Sequence, residues 1–236
     1  MIPNLSSYLD LANHHANATA SDIEAICNDV LTYHFNGAFV NPYYISLARS
    51  LLARQAKVGT AFSFPLGQDT LDMKVRSAVE CVNLGADELD IVPNNALLIT
   101  NEQDIYLNEM KRIVSAVREL GKGTIVKFIL ETGYFYPRKP EDMTPDLKTK
   151  GDELIRTGAT LIKEADADFV KICSGMGLRG ASLDDVRLVK EVVGDTMRIK
   201  VAGGIDTLTE AQSFIAAGAN RIGTSKAVEI MKQTSP

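Results

Sequence analysis

The sequence predicts an α/β protein that forms a single (β/α)8 TIM barrel domain over residues 1–236. Three observations support this prediction. Short apolar segments alternate with longer amphipathic stretches, eight strand candidates are present, and similar glycine corners recur where a helix returns to the sheet. A doubly wound open sheet is the alternative, because it has the same alternation. No linker rich in proline, glycine or serine divides the chain, so one domain is expected.

The strand candidates are short runs rich in branched apolar residues, which suit a sheet buried on both faces. In chain order they are Tyr8–Asn13, Ala38–Asn41, Val58–Phe64, Glu88–Val92, Thr124–Glu131, Phe169–Ser174, Arg198–Ala202 and Arg221–Thr224. Parallel strands need crossover connections, so the stretches between them are expected to be helical.

Helical signals occupy these intervening stretches. Ser21–Tyr33 places its apolar residues on one stripe, and its first residue has the capping-box spacing with Glu24. Thr207 and Glu210 have the same spacing, which predicts a helix that ends near Gly218. These two helices justify the crossovers after the first and seventh strands.

Two corners of similar sequence precede predicted strands. Leu84–Glu88 reads Leu-Gly-Ala-Asp-Glu, and Ala217–Arg221 reads Ala-Gly-Ala-Asn-Arg. Glycine suits the end of a helix because it adopts left-handed backbone without steric cost. The longest departure from the pattern is the loop Gly133–Pro145, which is either part of the active face or a surface excursion.

Composition excludes several classes of protein. Hydrophobic residues make up 45% and charged residues 23%, and the net charge is −5, which argues against a general binder of nucleic acid or anionic membranes. Cys27, Cys81 and Cys173 are scattered without a Cys-x-x-Cys pair, so they are expected to be reduced thiols and not zinc ligands. No apolar run reaches the roughly 18 residues of a membrane span, and Met1–Ser7 lacks the order of a signal peptide. A cytoplasmic location is therefore expected.

Five charged residues interrupt the predicted strands: Asp10, Asp90, Lys127, Lys171 and Lys200. The helix-facing side of a barrel strand is apolar, so these side chains are expected to point into the barrel. The alternative is a structural network in which the two acids and three lysines neutralise one another, because a buried charge must be compensated. It would be the preferred explanation for one such residue, but apolar layers would fill a barrel core more readily than five charges. Clustered lysines also have a chemical use. A neighbouring cation and burial both lower the pKa of a lysine, and the free amine can attack a carbonyl to form a Schiff base.

Glycine-rich turns follow the last three strands, at Gly175, at Gly203 with Gly204, and at Gly223. Loops after strands seven and eight of a barrel commonly bind phosphate through backbone N–H groups. Tight turns without a ligand are the alternative. His14, His15 and His34 are expected to be structural or surface residues, since adjacent histidines on a strand point to opposite faces.

Several segments together resemble the deoxyribose-phosphate aldolase family. They are Glu88–Val92, Phe64–Gly67, Val126–Gly133, Asp168–Gly175, Gly180–Arg187, Ile199–Ile205 and Arg221–Ser225, and the matches run from about Asp10 to Met231. The resemblance implies a (β/α)8 class I aldolase that needs no metal or other cofactor. It implies reversible cleavage of 2-deoxyribose 5-phosphate to acetaldehyde and glyceraldehyde 3-phosphate, and a homodimer.

The resemblance also assigns roles to individual residues. It implies that Lys171 forms the Schiff base, that Lys200 perturbs it, and that Asp90 moves protons. Asp10 and Lys127 match polar residues that line the substrate pocket. The phosphate is expected at the residues Gly175, Gly203, Gly204, Gly223, Ser225 and Lys226.

One segment and three single positions depart from the family pattern. The segment Ile172–Gly175 reads Ile-Cys-Ser-Gly, where Thr-Ser-Thr-Gly is usual. Asp206 stands where a basic residue is usual, Lys226 where a serine or another small residue is usual, and Phe39 where a cysteine is common. The phosphate end is thus altered while the chemical residues are kept. Two alternatives stay open: a related lysine aldolase for another phosphorylated or an unphosphorylated aldehyde, and a barrel that binds a metabolite without turnover.

Overall fold

Eight parallel strands close into a barrel, with β8 hydrogen-bonded back to β1 in the computed structural model, which describes residues 4–234. The strands are β1 Leu9–Asn13, β2 Gly37–Val40, β3 Lys57–Phe62, β4 Glu88–Ile91, β5 Ile125–Leu130, β6 Phe169–Ile172, β7 Arg198–Ala202 and β8 Arg221–Thr224. This topology confirms the predicted (β/α)8 barrel, and the open-sheet alternative is wrong.

The α-helices lie between and after the strands. They are α1 Ala20–Tyr33, α2 Ile45–Leu52, α3 Leu71–Leu84, α4 Asn95–Ile99, α5 Gln103–Glu119, α6 Pro145–Glu164, α7 Leu183–Val193, α8 Leu208–Ala216 and α9 Ala227–Lys232. The loop after β5 contains two 3-10 turns, Thr132–Phe135 and Pro140–Asp142. Within residues 4–234, none of these helices combines the length and the apolar character needed to cross a bilayer.

The two predicted capping boxes had different outcomes. The box at Thr207 and Glu210 is confirmed, since each side chain accepts a hydrogen bond from the other residue's backbone N–H. The box at Ser21 and Glu24 is wrong. Helix α1 begins one residue earlier, because the extended backbone of Thr19 lets its hydroxyl accept from the N–H of Asp22.

The strands separate two interiors of opposite chemistry. Between strands and helices lies the hydrophobic core, to which strand residues such as Leu89 and Val126 contribute. Inside the barrel lie the five predicted strand charges, each at most 3% exposed. This placement agrees with the prediction that they point inward, and it follows from the alternation of side chains along a strand.

Candidate active site

A cavity of about 170 Å³ opens where the carboxyl ends of the strands meet. Its floor includes Phe39, Asp90, Lys171 and Lys200, all of which are carried by strands. Its rim is formed by segments that directly follow strands: Ser174–Met176 after β6, Gly203–Asp206 after β7 and Ser225 after β8. The cavity therefore sits where ligand-binding loops of a (β/α)8 barrel are found.

Asp90 is the centre of the floor. Its Oδ2 accepts hydrogen bonds from the Nζ of Lys171 at 2.8 Å and is 2.9 Å from the Nζ of Lys200, while Oδ1 accepts from Lys127 at 2.9 Å. Register explains the arrangement, because Lys171 pairs with Lys200 across β6 and β7, and Asp90 with Lys127 across β4 and β5. One carboxylate oxygen thus joins two amines that face the cavity.

A second layer of charge lies below this group. Asp10 Oδ2 is 2.7 Å from Lys200 Nζ, Glu88 is 2.6 Å from Lys127 Nζ, and Arg221 donates to Asp10 at 3.0 Å. The barrel interior therefore holds three carboxylates against four basic groups: Asp10, Glu88, Asp90, Lys127, Lys171, Lys200 and Arg221. One neutral basic group would balance this charge.

Among these basic groups, Lys171 is the one whose pKa burial and a neighbouring cation lower, so it is the candidate for the neutral group. Burial lowers the pKa of Lys171; Asp90 opposes this effect, and the cation of Lys200 adds to it. Burial alone would raise the pKa of Asp90, but the charges of Lys127, Lys171 and Lys200 lower it well below its usual value. A carboxylate whose pKa is lowered well below its usual value, beside an amine whose pKa is also lowered, is suited to carbonyl chemistry.

The rim is built for close approach of backbone to a ligand. Gly175, Gly203 and Gly204 have left-handed backbone, with φ of 84°, 94° and 70°. A Cβ on Gly203 would lie 2.7 Å from the Cα of Gly180, so no other residue fits there. At Gly223 a Cβ would lie 3.1 Å from Lys200 Cε, so this glycine leaves room for the lysine.

The structure brings most of the predicted site residues to this cavity. Its wall contains Asp90, Lys171, Gly175, Lys200, Gly203, Gly204, Gly223 and Ser225. Asp10 and Lys127 do not line the cavity and lie beneath its floor. Asp10 forms an ion pair with Lys200, and Lys127 forms one with Asp90. Lys226 lies on a neighbouring cleft, and its Nζ is 3.3 Å from Glu229.

Sequence reasoning missed two histidines that line the cavity, His14 and His15. Both were assigned to structural or surface positions because a strand separates adjacent side chains. Both residues follow the end of β1, where strand alternation no longer applies; His15 is exposed as expected, yet both line the cavity. His14 packs on Phe64, with 5.2 Å between ring centroids. Burial and the charge of Lys171 lower the pKa of His14 to about 3, so its imidazole is neutral at neutral pH.

A closed parallel barrel with lysines and an ionised carboxylate at the floor of an open cavity defines a class of barrel enzymes that act on carbonyl compounds. Residues 5–229 match the family model described as DeoC/LacD family aldolase. The chain belongs to this family of lyases, in which a lysine forms a Schiff base with the substrate.

Known relatives agree with this assignment. The chain is 38% identical to deoxyribose-phosphate aldolase of Thermoanaerobacter sp. (strain X514) over 231 residues, 98% of this chain and 96% of the relative. It is 39% identical to deoxyribose-phosphate aldolase of Thermococcus gammatolerans, over 97% of this chain and 96% of the relative. Among solved structures, an aldolase named QR15 superposes with a TM-score of 0.86 at 32% identity and covers 99% of this chain and 96% of its own.

Proposed function

We propose that this chain cleaves 2-deoxyribose 5-phosphate reversibly to acetaldehyde and glyceraldehyde 3-phosphate through a Schiff base on Lys171. The observation that carries the proposal is the shared oxygen of Asp90. Lys171 and Lys200 both contact it, but only Lys200 has a second carboxylate partner, Asp10. Two carboxylates therefore favour a cation at Lys200, whereas one does so at Lys171, and Lys171 is the amine proposed to react at the cavity.

The reaction then follows from the roles of these groups. Lys171 attacks the aldehyde carbon of the open-chain sugar, and loss of water gives an iminium ion. Asp90 takes the proton of the hydroxyl on the third carbon and later returns it to the enamine carbon. As the hydroxyl loses its proton, the bond between the second and third carbons breaks, and its electron pair forms the enamine double bond while the C=N pair moves to nitrogen. Glyceraldehyde 3-phosphate leaves, and an enamine remains on Lys171. Protonation of the enamine carbon and hydrolysis of the imine release acetaldehyde.

Asp90 moves the proton in these steps, and Lys200 perturbs Lys171. Asp90 contacts both amines at the floor of the cavity, so it lies beside the carbon atoms that react on Lys171. Asp10 and Lys127 act from below: each pairs with a floor residue and fixes its position. Their part in substrate binding is therefore indirect in this proposal.

The glycine rim would hold the phosphate. Gly175, Gly203, Gly204, Gly223 and Ser225 all line the cavity, and backbone N–H groups of such glycine-rich segments are the donors we propose for a phosphate. Asp206 lines the same cavity, and its carboxylate would oppose a dianion. We therefore expect phosphate to be bound more weakly than it would be with a basic residue at this position.

Borohydride trapping tests the central step. Acetaldehyde with borohydride should add one ethyl group to the peptide that contains Lys171, and peptide mass spectrometry locates it. An ethyl group on Lys200 or Lys127 would overturn the assignment. Parallel assays of deoxyribose 5-phosphate and deoxyribose separate the proposed substrate from an unphosphorylated one, and trapping without cleavage of either would indicate a different substrate.

The assembly state belongs to the same proposal. We infer a homodimer, as the family resemblance implies. One relative, at 26% identity and a TM-score of 0.84, is described as the unique tetrameric structure of deoxyribose phosphate aldolase from Aeropyrum pernix. Light scattering on the purified chain distinguishes monomer, dimer and tetramer, and a mass other than two chains would contradict the inference.

A further inference from the structure

Phe39 places an aromatic face against the floor lysines. It is fully buried on β2, a strand whose other residues are Gly37, Ala38 and Val40. The Nζ of Lys200 lies 3.4 Å from the centroid of its ring, and the Nζ of Lys127 lies 4.9 Å away. Both distances are within the range in which a cation is attracted to a ring face.

Small residues on the two neighbouring strands make room for the Phe39 ring. Phe39 pairs in register with Ala12 on β1 and Gly59 on β3, two small residues. A Cβ on Gly59 would lie between 2.2 and 2.5 Å from three carbons of the Phe39 ring. The absence of a side chain at Gly59 is therefore what admits the ring, and close packing keeps its face toward Lys200.

The ring distinguishes two lysines that otherwise share one carboxylate oxygen. The Nζ of Lys200 lies 3.4 Å from the centroid of the Phe39 ring. The Nζ of Lys171 lies 5.8 Å from the centroid of the Phe64 ring. A ring face stabilises an ammonium and not a neutral amine. The pair at Asp90 therefore holds its proton preferentially on the lysine that touches Phe39.

We propose that Phe39 is a positioning residue that holds Lys200 as the ammonium and so leaves Lys171 as the free amine. This inference rests on the proposed function, because it assumes that Lys171 forms the Schiff base. Phe39 acts through Lys200 and needs no contact with the substrate.

Other charged groups surround the two lysines and contribute to the same equilibrium. The groups that act electrostatically on Lys171 or lie near it are His14 after β1, Asp90 on β4, Lys127 and Glu131 on and after β5, and Lys200 on β7. Those around Lys200 are Asp10 on β1, Glu88 and Asp90 on β4, Lys171 on β6 and Arg221 on β8. A test must therefore change the ring and leave these charges in place.

Fluorinated phenylalanines at position 39 change the charge of the ring face and leave the surrounding charged residues in place. Fluorine withdraws charge from the ring face, so each added fluorine weakens the attraction for Lys200 with little change in shape. The readout is the rate of borohydride trapping of acetaldehyde on Lys171 as a function of pH. At neutral pH we expect the rate to fall by about twofold to tenfold across the series. At high pH, where both amines are free, the rates should converge.

The same fluorinated residues at Phe128 provide the matched control. Phe128 lies on β5 in the core between strands and helices, so its substitution should leave the pH profile unchanged. A profile at position 39 that does not move with fluorination overturns the inference. Ethylation of wild-type protein at a residue other than Lys171 overturns the proposed function instead.

A double variant separates charge from packing. Phe39→Leu leaves space beside Gly59, and adding Gly59→Ala refills part of it without a ring face. We expect thermal stability to recover in the double variant while trapping at neutral pH stays slow. Recovery of the neutral-pH rate together with stability would show that Phe39 acts by packing alone, and the proposal would be wrong.

Discussion

The floor and the rim of the cavity are built in different ways. The charged floor residues lie on strands, are at most 3% exposed and have partners of opposite charge within 3 Å, as Asp90 and Lys171 do. Most rim residues lie on loops, although Gly223 is on β8, and Asp206 is exposed among left-handed glycines. Strand register therefore determines the chemistry, whereas the loops determine which substrate can enter. Changes in the floor should alter the turnover number kcat, and changes in the rim should alter KM.

The largest effect is expected at Lys171. Lys171→Arg keeps a cation beside Asp90 but removes the amine that we propose forms the imine, so cleavage of deoxyribose 5-phosphate should fall to the background rate. A coupled assay of glyceraldehyde 3-phosphate measures it. Lys163→Arg, an exposed change on α6, is the control and should keep full activity. Residual activity within tenfold of wild type would exclude Lys171 as the nucleophile.

Asp90→Asn should give the next largest effect, and it should lower both kcat and the free energy of unfolding. Loss of proton transfer should lower kcat by about 10²–10⁴-fold. Removing one partner from a buried charge network should also lower the free energy of unfolding, by about 3–5 kcal/mol. Urea titration measures the second quantity. Asp206→Asn on the rim is the contrast and should change stability by less than about 0.5 kcal/mol; equal losses at both positions would contradict the distinction between floor and rim.

Lys200→Leu should move the pH dependence. Removing the Lys200 cation raises the pKa of Lys171 toward its ordinary value, because one of the effects that lower it is gone. Since the neutral amine is the reactive form, the acid limb of the kcat profile should shift to higher pH by about one unit or more. An unchanged profile would show that Lys200 does not tune Lys171.

The same contrast explains what the sequence could predict. Strand charges such as Lys171 and Asp90 stand out because each interrupts an apolar run, and alternation then places them inside the barrel. The β7 and β8 bounds, Arg198–Ala202 and Arg221–Thr224, agree with the predicted segments. Pattern alone therefore indicated the floor and its strands.

Contacts between distant strands and loop paths could not be predicted in this way. Phe39 reads as an ordinary apolar strand residue, and its contact with Lys200 depends on closure of the barrel. His14 was missed because strand alternation does not apply beyond the end of β1. The Lys226 side chain lies just before α9, which begins at Ala227, so the direction of this side chain depends on where the helix begins. No periodic pattern in the sequence marks that helix start.

Asp206→Arg tests the rim directly. A carboxylate and a phosphate charge about 4 Å apart repel by about 1–4 kcal/mol, and exposure to solvent places the effect near the lower value. Replacing the acid by a base should lower KM for deoxyribose 5-phosphate by about threefold to tenfold with little change in kcat. If the wild type instead prefers unphosphorylated deoxyribose and the variant loses that preference, Asp206 binds a hydroxyl and the phosphate assignment is wrong.

Lys226→Ala should have the smallest effect on KM. The size of that change shows whether the rim includes the start of α9. The Lys226 side chain is 49% exposed, its Nζ lies 3.3 Å from Glu229, and it borders a neighbouring cleft that shares Ser225 with the cavity. It can therefore attract a phosphate only through solvent, and we expect KM to rise by less than about threefold, with the difference vanishing at 1 M salt. Glu229→Ala frees the same lysine and should lower KM slightly. A rise of tenfold or more that survives high salt would mean that Lys226 turns into the cavity and binds the phosphate directly, and the rim would then include the start of α9.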